Sequence, residues 1–210
     1  MNRNLDIELT PRMDRLKEAD LLTKLLLPFC IVFTTLTWGG GLAAAPAQVI
    51  LLRHAEEPAK EADRHLSDLG RTRAEALVSL LITNSGPLSN LPPVALFASK
   101  PSKDGEGLRP RETLEPLAKR LGVQVQSAFS RKDHARLIRQ IVHDPAYEGK
   151  TVVICWVHEY LDEMAGELGA GRVAPWRKEV YDRMWVVRWV GARAVLTDTP
   201  QRLLSGDSKQ

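Results

Sequence analysis

Two cysteines among 210 residues, Cys30 and Cys155, are too few for a disulfide framework and lack the spacing of a zinc site. A net charge of +3 excludes the broad basic field that grips nucleic acid. No internal repeat and no low-complexity tract is present, and the longest apolar run is too short to cross a bilayer comfortably. The glycines at 39–41 precede no strand-helix pair, so they form no phosphate loop. "HEYLDE" lacks the second histidine of an H-E-x-x-H zinc helix, which removes a metalloprotease. What remains, with 44% hydrophobic residues, suits one folded domain of moderate size with a proper core.

Residues 1–46 differ from the rest. "LLLPFCIVFTTLT", at 25–37, follows Lys24 and precedes "WGGGLAAAPAQ". That order of basic residue, apolar core and small residues is that of a secretory signal, with Ala45 and Ala47 in an A-x-A arrangement. Pro28 and the glycines weaken a long helix. The stretch before Lys24 is long for a signal, and translation from Met13 would shorten it. We therefore expect a signal or targeting segment over 1–46 and a catalytic domain over 47–210. The protein would then be exported, periplasmic or extracellular, with no stable membrane span after cleavage, or membrane-anchored if the segment stays. The alternative is an N-terminal helix packed on the domain. The segment carries five basic and five acidic residues, so its removal leaves the net charge unchanged and Cys155 as the lone cysteine.

From Gln48 onward short apolar runs alternate with helical patterns, the signature of an α/β sheet with crossover helices. Strands are predicted at Val49–Arg53, Val94–Ser99, Val123–Ala128 and Thr151–Val157, with Arg183–Val190 and Arg193–Thr197 as a final antiparallel pair around Gly191. Ser67 caps the amphipathic run "DLGRTRAEALVSLLI". "RPRETLEPLAKRLG" stops on Gly122, and "KDHARLIRQIVHD" stops before Pro145. In open α/β sheets ligands bind beyond the carboxyl ends of the strands, and two predicted strands deliver a histidine there: "VILLRH" at His54 and "VVICWVH" at His158.

Context gives the Arg53-His54 pair its weight, since Arg64-His65 in "ADRHLS" is the same dipeptide in a polar connection with no strand before it. Arg109 follows the second strand in "RPRETLEPLAKRLG", and His158 closes the fourth. Together with "LSDLGRTRAEAL" and with Glu112 and Thr113, this ordered series resembles the histidine phosphatase superfamily, the fold of phosphoglycerate mutases and histidine acid phosphatases. The resemblance runs from Gln48 to about Val190.

It implies a three-layer α/β/α sandwich with a mostly parallel central sheet, phosphoglycerate mutase-like. It further implies a metal-independent phosphatase acting on a small phosphorylated molecule, with no cofactor, through a phosphohistidine on His54. Arg53 and Arg109 would bind the phosphate with their rigid donor forks, and His158 would stabilise the transferring group. Each charge-assisted contact is worth about 1.5 to 3 kcal/mol, enough together to select phosphate without a metal. The proton donor to the leaving alcohol is Glu56, two residues past His54, or Glu159, directly after His158; Glu56 is favoured slightly.

The chain departs from the family pattern in two places: Ala55 follows His54 where glycine is common, and a loop at 100–107 is inserted ahead of Arg109. Arg111 is a substitute for Arg109, though Arg109 fits the spacing better. Trp156 and Trp176 pack the core or border the pocket, and His65, His134 and His143 are expected in solvent. Two alternatives stand beside the phosphatase: a non-catalytic phosphate-binding module of the same fold, and, more weakly, a metal site built from His54, Glu56, Glu57 and His158.

Overall fold

The computed structural model describes residues 45–59, 63–82, 91–105 and 107–208. The expected signal segment, with its 25–37 run and Cys30, lies outside them apart from Ala45 and Pro46. Among the described residues no helix is long and apolar enough to cross a membrane.

Among the described residues six strands form one sheet: β1 (Gln48–Arg53), β2 (Pro93–Ala98), β3 (Val125–Gln126), β4 (Thr151–Trp156), β5 (Arg183–Val190) and β6 (Arg193–Pro200). Their order is β3-β2-β4-β1-β5-β6. The first four are mutually parallel, while β5 pairs antiparallel with β1 and β6 antiparallel with β5. The helices are α1 (Asp68–Ile82), α2 (Leu108–Leu121), α3 (His134–His143) and the short α4 (Leu161–Ala165).

Strand periodicity sorts the side chains into two cores. Ile50 and Leu52 of β1 pack with Leu77 and Leu81 of α1 and Leu114 and Leu117 of α2. Val49 and Leu51 point the other way, toward Leu137, Ile138 and Ile141 of α3 and Met164 of α4. Every residue of β1 and β4 is buried, which is why their middles, Val49 to Leu52 and Val152 to Trp156, read as unbroken apolar runs rather than alternating ones. The expected three-layer sandwich is the one observed.

Helix boundaries follow their local chemistry. Ser67 Oγ accepts the Gly70 backbone N–H at 3.0 Å, capping α1. Gly122, left-handed at φ 71°, ends α2 with its N–H on the Ala118 carbonyl. Two strand lengths differ from expectation. The predicted Val123–Ala128 strand shrinks to Val125–Gln126, because Val123 N–H is still used by the helix stop on Ala118 and only β2 lies alongside. β6 runs beyond Thr197 to Pro200, because its ladder with β5 continues until Pro200 faces Arg183.

β1 and β4 lie in register with Arg53 opposite Trp156, so both end at one level of the sheet. His54 donates its backbone N–H to the Trp156 carbonyl at 3.2 Å, and His158 follows two residues later. The carboxyl edge therefore gathers both histidines.

Candidate active site

Arg53 is only 2% exposed although charged. Its guanidinium lies 3.8 Å from the centre of the Tyr181 ring, donates to Tyr181 Oη at 2.9 Å and donates to the Lys178 carbonyl. Burial pushes its pKa down, opposed by Tyr181 and then Glu57.

His54 is 5% exposed, and its Nδ1 lies 2.8 Å from the Ala55 carbonyl. A carbonyl only accepts, so Nδ1 carries the proton and the lone pair is on Nε2. Burial lowers the imidazole from 6.5 to about 4, with Arg53 and Arg109 adding to the effect. At neutral pH His54 is an uncharged imidazole.

The loop behind His54 is fixed from two sides. Ala55 N–H donates to Thr113 Oγ1 at 2.9 Å, and that hydroxyl donates to the Arg109 carbonyl at 2.8 Å, which ties β1 to the start of α2. On the other side the Glu56 carbonyl accepts from Ser67 N–H at 3.0 Å and from Ser67 Oγ at 3.1 Å. Gly70 allows that approach: a Cβ there would sit 2.3 Å from the Glu56 carbonyl oxygen. The "LSDLG" motif thus serves to anchor the loop that follows His54. Gly70→Ala is expected to lower stability by about 1 to 3 kcal/mol and to reduce kcat/KM by displacing this loop. Chemical denaturation beside steady-state kinetics checks both.

The placement expected for Glu56 is corrected here. Its carboxylate turns away from the cleft onto Arg73, at 2.7 Å from Nη2 and 2.9 Å from Nε. Arg73, 4% exposed, also binds Asp207 at 2.7 Å and Gln201 at 3.1 Å. A buried guanidinium needs such acceptors, and Glu56 and Asp207 supply them at equal distance.

Glu57 takes the place in the cleft instead. It pairs with Arg109 Nη1 and lies 3.7 Å from Arg53 Nη2. Partial burial works to raise its pKa, but Arg109, then His54 and Arg53, outweigh that and hold it below the usual carboxylate range. Arg109 also donates to the carbonyls of His65 at 3.2 Å and Asp63 at 2.6 Å. Both arginine forks are thus occupied by protein acceptors, Glu57 among them. Arg111 pairs with Glu115 on the exposed face of α2 and does not line the cleft. Glu112 caps the neighbouring loop, accepting Leu66 N–H at 2.8 Å and pairing with exposed His65.

His158 sits across the same edge, its Nδ1 3.4 Å from the half-exposed Glu159 carboxylate. Burial lowers its pKa, and Glu159 opposes the shift. The cleft has a volume of about 360 Å³ and is lined by His54, His158, Arg53, Arg109, Glu57 and Glu159 among others. Arg64, Arg131 and Lys178 complete it, so five cationic side chains face two carboxylates. Those last three were missed. Arg64 belongs to the second Arg-His dipeptide, in a polar connection with no strand before it, and the loop before α1 brings it to the cleft. Arg131 had a readable signal, since it follows β3 at the same carboxyl edge; Lys178 had none. Trp156 is fully buried in the core, its Nε1 on the Arg131 carbonyl at 3.1 Å, so it borders no pocket. His134 is also buried, at 7% exposure, between Glu163 and Glu167 rather than in solvent. With Glu56 turned to Arg73, no group of three His, Cys, Asp or Glu among the described residues is arranged to hold a metal.

No family model and no curated protein matches this chain. Solved structures do. A mycobacterial glucosyl-3-phosphoglycerate phosphatase with inorganic phosphate matches at a TM-score of 0.51 and 17% identity, over 72% of this chain and 95% of its own. The same enzyme in native form matches at 0.48 and 13% identity, over 73% and 97%. The protein histidine phosphatase SixA with tungstate matches at 0.45 and 13% identity, over 73% and 97%. At such identities the likeness speaks for the fold, and the first match carries it: this chain has the phosphoglycerate mutase-like fold of the histidine phosphatases.

Proposed function

We propose that the protein is a metal-independent phosphatase that hydrolyses a small phosphomonoester through a phosphohistidine on His54. One observation carries the reading: a neutral imidazole with its lone pair on Nε2, set in a cleft whose cations outnumber its anions. The similar fold of a glucosyl-3-phosphoglycerate phosphatase bound to phosphate supports it.

In the proposed reaction the phosphate dianion takes the place of the Glu57 carboxylate beside Arg109 and Arg53, whose charges then neutralise its oxygens. His54 Nε2 attacks phosphorus; the N–P bond forms as the P–O bond to the alcohol breaks. His158 stabilises charge on the transferring group. Water then attacks the phosphohistidine, releasing phosphate and restoring the imidazole. Glu159, which lines the cleft beside His158, is assigned as the proton donor to the leaving oxygen, the second of the two candidates the sequence offered beside the slightly favoured Glu56.

Two measurements test this. Hydrolysis of p-nitrophenyl phosphate should proceed undiminished in EDTA, and turnover that requires added zinc or manganese would refute metal independence. Glu159→Gln should lower kcat by about 10²- to 10⁴-fold for an alkyl phosphate, whose alkoxide needs a proton, and far less for p-nitrophenyl phosphate. Equal losses on both substrates would remove Glu159 from that role.

A further inference from the structure

We infer that the substrate carries a second phosphoryl group, held in a basic groove that opens beside the cleft; this rests on the phosphatase reading above and names its substrate class. The groove, about 400 Å³ in volume, shares Arg131 and Gly107 with the cleft, so the two adjoin. Lys100, Lys103 and Lys132 line it together with Arg131, and no carboxylate among the described residues does. Asp133, beside Lys132 in the chain, accepts from Ser130 Oγ at 2.6 Å, and Asp104, beside Lys103, does not line the groove.

The groove is built rather than draped. Lys100 N–H donates to the Phe129 carbonyl at 2.6 Å, clamping the loop after β2 to the segment after β3. The Arg131 carbonyl is fixed by the indole of fully buried Trp156. Gly107, at φ 86°, keeps the wall open where a Cβ would come within 3.2 Å of Ser99 Oγ and the Lys100 carbonyl. That serine, another of the lining residues, is fully buried, and its hydroxyl has no hydrogen-bond partner.

Arg53, Arg109 and His158 already meet the needs of one transferring phosphoryl group. A substrate with an uncharged alcohol would place no charge opposite the lysines of the groove. Ammonium groups act as point charges for phosphate, and several of them match a dianion better than a single carboxylate. The inserted loop at 100–107 thereby gains a function: it supplies two of the three lysines and the glycine.

The test compares α,ω-alkanediol bisphosphates of two to six carbons with the corresponding monophosphates, so that the unknown spacing is scanned. At least one bisphosphate should be preferred in kcat/KM by about tenfold or more, equivalent to about 1.4 kcal/mol. The Lys100→Ala, Lys103→Ala, Lys132→Ala triple variant should lose that preference while its turnover of p-nitrophenyl phosphate is unchanged. No preference at any length, a preference that survives in the triple variant, or an equal gain from ω-carboxyalkyl phosphates would overturn the inference. Should no substrate turn over, the phosphatase reading fails, and calorimetry with inorganic pyrophosphate decides on the groove alone. Binding weakened about tenfold in the triple variant would support it, and equal binding would overturn it.

Discussion

Replacing His54 with alanine is expected to lower kcat/KM for p-nitrophenyl phosphate by about 10⁴-fold or more, the scale on which loss of a covalent nucleophile acts. The variant should fold normally, because alanine leaves the Ala55–Thr113 and Glu56–Ser67 anchors of the loop in place. It should also still bind inorganic phosphate, since the cations of the cleft remain. A small loss would mean that His54 only positions substrate, and the binding-module alternative would gain. The pH profile adds a signature. The imidazole titrates at about 4, below its ordinary 6.5, so protonation removes the Nε2 lone pair only in strong acid. The acid limb of kcat/KM assigned to His54 therefore falls as pH drops through about 4 rather than through 6.5.

Replacing Arg73 with methionine should cause the largest loss of stability of any single substitution discussed. The change leaves Glu56, 13% exposed, and Asp207, 6% exposed, as enclosed carboxylates without their shared cation. Breaking such a pair costs about 3 to 5 kcal/mol. For a chain of this size the melting temperature should fall by about 10 °C. The sign with pH is fixed as well. Burial tends to raise Asp207, but its bonds from Arg73 and from the Leu203 and Leu204 N–H groups hold it at about 2, against an ordinary 3.8. The stability that Asp207 lends the wild type is complete above 3.8 and lost as pH falls toward 2, so the gap between variant and wild type should narrow there. A melting temperature within about 2 °C of wild type would show the cluster to be energetically neutral, as some buried ion pairs are. Adding Glu56→Gln and Asp207→Asn to the variant should recover part of the loss.

The central strands and long helices were legible because their chemistry is local. The middles of β1 and β4 are unbroken apolar runs since both of their faces are covered, and α1 and α2 carry their own cap and stop at Ser67 and Gly122. The strand-end rule located both histidines. The same edge, past the ends of β2 and β3, supplies Lys100 and Arg131 to the groove and cleft. The choice between Glu56 and Glu57 was not legible. They are adjacent in a loop, and what separates them is Arg73, whose burial depends on Asp207, 134 residues further on. Arg64 was set aside because the sequence shows no element that delivers it. The chain folds the loop before α1 so that the Asp63 and His65 carbonyls receive Arg109, and this brings Arg64 to the cleft.

The most direct test of the mechanism is rapid-quench trapping of the enzyme during turnover of a ³²P-labelled aryl phosphate, followed by mapping of the labelled residue. The account predicts an acid-labile, base-stable phosphoryl group on His54, formed within one turnover and absent from His54→Ala. Turnover with no phosphoenzyme, or with the label on His158, would contradict it.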